Sequence, residues 1–277
     1  MALSGRGNAG QVSATERKMN HLFPALLAVI FLVGCDPHVD SVYLGRAEAR
    51  LLSDVSSGNV AAVKKFLDQG GNVNLQDEPG MTPLHHAVND DWKGSHLEMI
   101  KLLIDAGANV KAIDDTHHTP LHLASNKEAA GLLIDAGADV NARTRRDGET
   151  ILYSAAWCAA QGHPKSGDMY LVLTKLLIAK GADVNVKLKS GSMIQGNEPY
   201  RAKSGETTLH EVARSYSEEA ASEVCELLLA NGAKMNELNE KGQTPMDEAL
   251  ANERKKTAEF LLRHGGKTGK ELSNPGR

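Results

Sequence analysis

The residue with the clearest chemical use is Cys35. It ends the run Leu32-Val33-Gly34-Cys35, directly after an apolar stretch, Leu-Phe-Pro-Ala-Leu-Leu-Ala-Val-Ile-Phe-Leu-Val at 22–33. A thiol just past small and aliphatic residues offers a nucleophile for acylation. The other two cysteines, Cys158 and Cys225, form no CxxC and no Cys/His metal spacing. They are expected as small buried apolar residues, with a disulfide between them requiring close approach. Of eleven histidines, His85, His122 and His210 recur in one phrase. His86, His117 and His118 cluster on paper, but no carboxylate or Cys stands at ligand spacing, so no metal site is expected. The pairs Asp90-Asp91 and Asp114-Asp115 cannot work as acid and base, because adjacent side chains do not converge on one substrate atom. Both pairs are expected in solvated turns. There is no phosphate-cradling glycine loop, nucleophile elbow or HExxH. No catalytic residue, cofactor or enzymatic activity is expected.

The twelve apolar residues at 22–33 are too few to span a bilayer as a helix, which takes roughly 20. With Arg17 and Lys18 ahead of them they read as the core of a secretory signal. Met19 offers a second start, one that loses both basic residues. Leu32-Val33-Gly34-Cys35 resembles the lipobox of bacterial lipoproteins. That resemblance implies cleavage before Cys35, acyl chains on Cys35, and a protein anchored to a bacterial cell membrane and facing the periplasm or exterior. Asp36 resembles the enterobacterial signal for the inner membrane. A signal peptide at 1–34 and a lipidated tether at 35–42 follow. The eight residues 36–43 reach at most ~28 Å, which keeps the folded body near the lipid.

From residue 41 onward the chain repeats itself. Leu-Leu-Ile-Asp-Ala-Gly-Ala-Asn-Val at 102–110 returns with small changes at 132–140, 176–184 and 227–235, and more loosely at 65–73 and 260–268. Thr82-Pro83-Leu84-His85 alternates with it, returning as Thr119-Pro120-Leu121-His122, Thr150-Ile151-Leu152-Tyr153, Thr207-Thr208-Leu209-His210 and Thr244-Pro245-Met246-Asp247. These phrases are 37, 31, 57 and 37 residues apart, a solenoid's period. Thr caps a helix start, Pro suits the first turn, and Leu points into the stack. Gly107, Gly137, Gly181 and Gly232 can close the second helix in the left-handed conformation. Each unit therefore reads as helix, turn, helix and a protruding β-turn finger.

This pattern resembles the ankyrin repeat over roughly 41–270. It implies an all-α solenoid of about six repeats, near 43–78, 80–117, 118–147, 148–204, 205–241 and 242–270, with a disordered tail at 271–277. It implies that His85, His122 and His210 hydrogen-bond neighbouring repeats, and that partners bind the concave helices and the fingers. In the last repeat Asp247 replaces the motif His.

Composition agrees with a stack of this kind. Aromatic residues are only 4% of the 277, charged residues of both signs are 24%, and the net charge is −4. Loss of residues 1–34 would remove a net +2 and leave about −6, so a nucleic-acid partner is not expected. The chain is expected to be monomeric.

Departures from the repeat point to a binding surface. The stretch 186–206 lengthens the finger between the fourth and fifth repeats, and carries Lys187, Lys189, Arg201 and Lys203 with Tyr200. The preceding finger carries Arg143, Arg145 and Arg146. Neighbouring fingers project side by side, so these cations are expected to form one basic edge facing an acidic partner or acidic lipid headgroups. Trp157 follows Ala155-Ala156 where the family has an exposed groove residue, and is a candidate anchor. Trp92 lies in another enlarged turn. The expected function is a membrane-tethered protein-interaction module of a bacterial envelope, a scaffold or an inhibitor or protector of one partner. The alternative is a lipid-surface or envelope-structural protein.

Overall fold

The computed structural model describes residues 45–91, 96–164, 166–189 and 205–274. The body from Leu44 to Arg277 is a compact unit distinct from residues 1–43. Residues 1–34, expected as a signal peptide, residues 35–42, expected as a lipidated tether, and Trp92, Tyr200, Arg201 and Lys203 lie outside the described residues.

Among those residues there are twelve α-helices, one 3-10 helix and no strand. Repeat 1 is α1 (Arg46–Ser56) and α2 (Val60–Asp68); repeat 2 is α3 (Pro83–Asn89) and α4 (Leu97–Asp105). Repeat 3 has only a 3-10 turn (Pro120–Leu123) before α5 (Lys127–Asp135). Repeat 4 is α6 (Ile151–Ala160) and α7 (Gly167–Ala179); repeat 5 is α8 (Thr208–Ala213) and α9 (Glu218–Ala230). Repeat 6 is α10 (Pro245–Ala251) and α11 (Lys255–Arg263), followed by a short α12 (Gly269–Ser273). The first helices of successive repeats pack in one row and the second helices in another.

Each motif residue does a local job. The hydroxyls of Thr82, Thr150 and Thr244 accept from the backbone three residues on and so cap the inner helices. Leu84, Leu121 and Leu209 are almost wholly buried. Burying each is worth roughly 1.5–3 kcal/mol over leaving it in water. The closing glycines sit at positive φ, +88° at Gly107 and +91° at Gly181, where a side chain would be strained.

Three expectations change. The inner helix of repeat 3 stops after one turn, because Ala124 is extended and Asn126 already caps α5. That accounts for the short spacing of 31 residues. Residues 271–273, expected within a disordered tail, belong to α12. Thr268 caps this helix while Glu271 accepts from the Thr268 N–H at 2.7 Å, a capping box readable in Thr268-x-x-Glu271. Gly269 is required there, since an added Cβ would lie 2.0 Å from the Gly242 carbonyl oxygen. Finally, Asp91 is not in a solvated turn. It is fully buried, where Oδ1 accepts from the His96 N–H at 2.7 Å and Oδ2 from the Asn126 amide at 3.1 Å.

Candidate protein-interaction surface

The motif histidines join repeats. His85 Nδ1 accepts from the Thr82 N–H at 3.0 Å, and its Nε2 donates to the His118 carbonyl at 3.1 Å. His122 and His210 repeat this with the Ala142 and Gln243 carbonyls, at 3.0 and 3.1 Å. A carbonyl only accepts and an N–H only donates, so each ring is neutral with its proton on Nε2. Burial lowers the pKa of all three, His122 to about 4. His86 instead bonds Asp77 at 2.7 Å, and His118 lies 3.7 Å from Asp114. Among the described residues no three His, Cys, Asp or Glu converge on a metal position. Cys158 is half-buried and Cys225 buried, and both are free. Burial raises both thiols, Cys225 to about 12, away from reactivity.

In repeats 4 to 6 the pattern changes. Tyr153 stands at the motif His position, and its hydroxyl donates to Glu211 of the next repeat. Burial and Glu211 push its pKa up. Arg214 lies among Glu206, Glu211 and Glu248, three carboxylates that are almost wholly buried. Its guanidinium donates to Glu206 and Glu211 and reaches Glu248 at 3.2 Å. Sequence reading missed this cluster, whose members are scattered between Glu206 and Glu248; the one available signal was a Tyr in place of the motif His.

The proposed basic edge divides into two sets. The Arg143 side chain donates to the Gly148 carbonyl at 3.1 Å and to the Lys187 carbonyl. Lys187 Nζ meets Glu237 at 2.6 Å and the Leu238 carbonyl at 3.0 Å. These two cations hold one finger against the next, helped by the Lys189 N–H donating to the Asp147 carbonyl at 2.8 Å. Arg145, Arg146 and Lys189 are exposed, and among the described residues their side chains have no partner. Trp157 is 42% exposed near the end of α6, the helix that starts from the same finger. In the next repeat Tyr216 is 78% exposed, with the Arg254 guanidinium 4.7 Å from its ring centre. Sequence reading missed Tyr216 as well.

A family model of ankyrin repeats in three copies matches residues 51–144 and 159–271. Ankyrin repeat and SOCS box protein 16 of Mus musculus is 32% identical over 188 residues, 68% of this chain and 37% of that protein. A fowlpox virus ankyrin repeat protein is 42% identical over 43 residues, 16% of this chain and 30% of that protein. The chain thus spans about a third of the length of the curated relatives it matches. Among solved structures, one similar chain comes from the complex of a Bdellovibrio bacteriovorus predatory endopeptidase with an immunity protein. It has a TM-score of 0.56 and 28% identity, over 80% of this chain and 99% of that one. An ankyrin repeat domain from Acinetobacter baumannii AYE gives a TM-score of 0.62 at 24% identity, over 79% of this chain and 100% of that one. The ankyrin repeat domain of Bcl-3, a member of the IkappaB family, gives 0.60 at 25% identity, over 78% and 86%.

Proposed function

Because this chain belongs to the ankyrin-repeat family, whose stacks serve as protein–protein interaction modules, we propose that it is a membrane-tethered binding protein of a bacterial envelope that inhibits or protects one partner and catalyses nothing. The observation carrying this reading is the split within the basic edge. Arg143 and Lys187 lock two fingers together, and the locked pair leaves Arg145, Arg146 and Lys189 without side-chain partners among the described residues. Trp157 stands exposed on the adjoining inner helix. Unpaired cations on the fingers and an exposed aromatic farther along the adjoining inner helix suit an acidic protein surface with an apolar anchor point. The similar chain from an endopeptidase–immunity protein complex supports the inhibitor form of the reading.

The tether rests on Leu32-Val33-Gly34-Cys35. Acyl chains on Cys35 raise the effective concentration near a membrane, so a modest intrinsic affinity suffices. Radiolabelled palmitate is expected on the wild type and absent from Cys35→Ser; an unlabelled wild type removes the anchor from the proposal. Crosslinking and affinity purification from the native envelope test the surface. One partner is expected to be lost from Arg145→Glu/Lys189→Glu, and an unchanged partner set overturns the assignment of this edge. Sedimentation of the unlipidated protein with anionic vesicles would favour the lipid-surface reading instead.

A further inference from the structure

One guanidinium in the stack is held but not used. Arg254 stands at the position just before α11. Repeats 1, 3 and 5 fill that position with Asn59, Asn126 and Ser217, whose side chains cap the outer helix. Arg254 makes no such cap. With Lys255 and Lys256 it sets three cations at the end of the helix where the macrodipole is already positive. The needs of α11 therefore do not explain an Arg here.

Its surroundings fix it in place. The Arg254 N–H donates to the Ala249 carbonyl at 2.8 Å, and Nε donates to the Arg214 carbonyl at 3.2 Å. Arg214 is itself anchored by Glu206, Glu211 and Glu248. The Arg254 guanidinium lies 4.7 Å from the centre of the Tyr216 ring. A guanidinium has five N–H donors. One is spent on Arg214, and the four on Nη1 and Nη2 have no partner among the described residues. Tyr216 is 78% exposed, so the ring face turned away from Arg254 is open.

The nearby charges select the ligand. Lys256 pairs with Glu219, and Glu218 accepts from the N–H groups of Lys256 and Thr257. Glu253 and Lys255 are exposed, opposite in sign and without an ion-pair partner among the described residues. Beneath them the buried Glu206, Glu211 and Glu248 outnumber Arg214. No field of spare cations surrounds Arg254. A polyanion or an anionic lipid surface requires such a field. What remains is a single fork of parallel N–H groups, the geometry that takes one planar carboxylate by contact.

We propose that Arg254 and Tyr216 form a subsite that reads one Asp or Glu side chain in an extended segment of a partner protein. The carboxylate takes the Nη1 and Nη2 fork. An apolar side chain two positions along, on the same face of the segment, lies on the open face of Tyr216. This rests on the reading of the chain as a protein-binding module, and not on the tether or the basic edge.

The test titrates the full chain with two tripeptides, acetyl-Phe-Ala-Glu-amide and acetyl-Phe-Ala-Gln-amide, which differ by one charge. Nuclear magnetic resonance follows the Arg254 Nε–H and Tyr216 ring signals. The Glu peptide is expected to move both signals and to bind about tenfold more tightly than the Gln peptide. Arg254→Lys keeps the charge without the fork and should remove most of that preference. Arg254→Gln keeps a donor for the Arg214 carbonyl and should abolish it. Tyr216→Ala should weaken both peptides. Urea midpoints of the variants check that the stack is intact. Equal binding of the two peptides to wild type, movement of signals elsewhere only, or an undiminished preference in both Arg254 variants overturns the proposal. So does tighter binding of inorganic phosphate or of anionic vesicles at these signals, because the site would then read phosphate. Any of these results, with a partner still lost from Arg145→Glu/Lys189→Glu, overturns the subsite alone and leaves the binding-module reading standing.

Discussion

Around Arg214 repeats 5 and 6 share one guanidinium, and repeat 4 joins them through Tyr153 on Glu211, while the joint between repeats 2 and 3 lacks the amide clamp that the other joints carry. The clamp is an Asn in each finger. Asn74 Nδ2 donates to the Gly107 carbonyl at 3.1 Å and its Oδ1 accepts from the Asn109 N–H at 2.7 Å. Asn141, Asn185 and Asn236 make the same two bonds to their following repeats. At the corresponding place repeat 2 has Lys111. That joint has Asn126 bonded to Asp91 between helices, beside the His85 bond to the His118 carbonyl and a bond from the Arg145 N–H to the Thr116 carbonyl. The difference teaches that one repeat pattern is compatible with joints of very different strength. The backbone geometry recurs at each joint, while the set of polar contacts across it differs from joint to joint. This joint is also where the inner element is shortest, a single 3-10 turn over Pro120–Leu123.

Four substitutions or conditions separate the two regions, beginning with the largest effect. Arg214→Leu strands buried Glu206, Glu211 and Glu248 around an uncharged side chain and should cost about 3–5 kcal/mol in urea unfolding. A loss under about 1 kcal/mol would make the cluster a surface network and erase the contrast. Acid should act next. Because the folded pKa of His122 lies below the ordinary value of 6.5, the unfolded chain binds the proton more readily. Stability is therefore complete above pH 6.5 and is lost as pH falls toward 4, by on the order of 2–3 kcal/mol from this ring. A protonated Nδ1 would face the Thr119 N–H, 3.1 Å away. Hydrogen exchange at pH 7 and pH 4.5 should show amides of residues 118–126 losing protection, and unchanged protection would place the charge elsewhere. Asn126→Ala removes the cap of α5 and a partner of Asp91, and should cost about 2 kcal/mol by chemical denaturation. The smallest change is a gain. Lys111→Asn should supply the missing clamp to the Gly137 carbonyl and the Asp139 N–H, stabilising by about 1 kcal/mol. No gain would show that the joint cannot close far enough to accept it.

The site was less legible than the fold, for a reason visible in particular residues. Arg143, Arg145 and Arg146 look alike as a sequence, yet only Arg143 is turned back to bridge two fingers. Trp157 could be placed because it follows a repeated phrase. Tyr216 could not, since it lies between α8 and α9 in a turn with no counterpart in the other phrases. Asp91 read as half of a solvated acidic pair because its partner, Asn126, is 35 residues away.

What the sequence alone determined is everything that depends on neighbours within one repeat: the Thr cap, the Pro at the first turn, the inward Leu and the Gly that closes the second helix. These are short-range preferences of backbone and side chain, so they recur wherever the residues recur. Asp247 belongs here too, since its carboxylate accepts from the Thr244 N–H at 2.8 Å as the histidines do in other repeats. The tertiary structure alone decided which charges are spent and which are offered. An ion pair forms where stacking brings two side chains together from different repeats, as with Arg214 and Glu248, 34 positions apart. Stacking likewise buried Asp91 against Asn126 of the next repeat, 35 positions on, a contact that no single repeat contains.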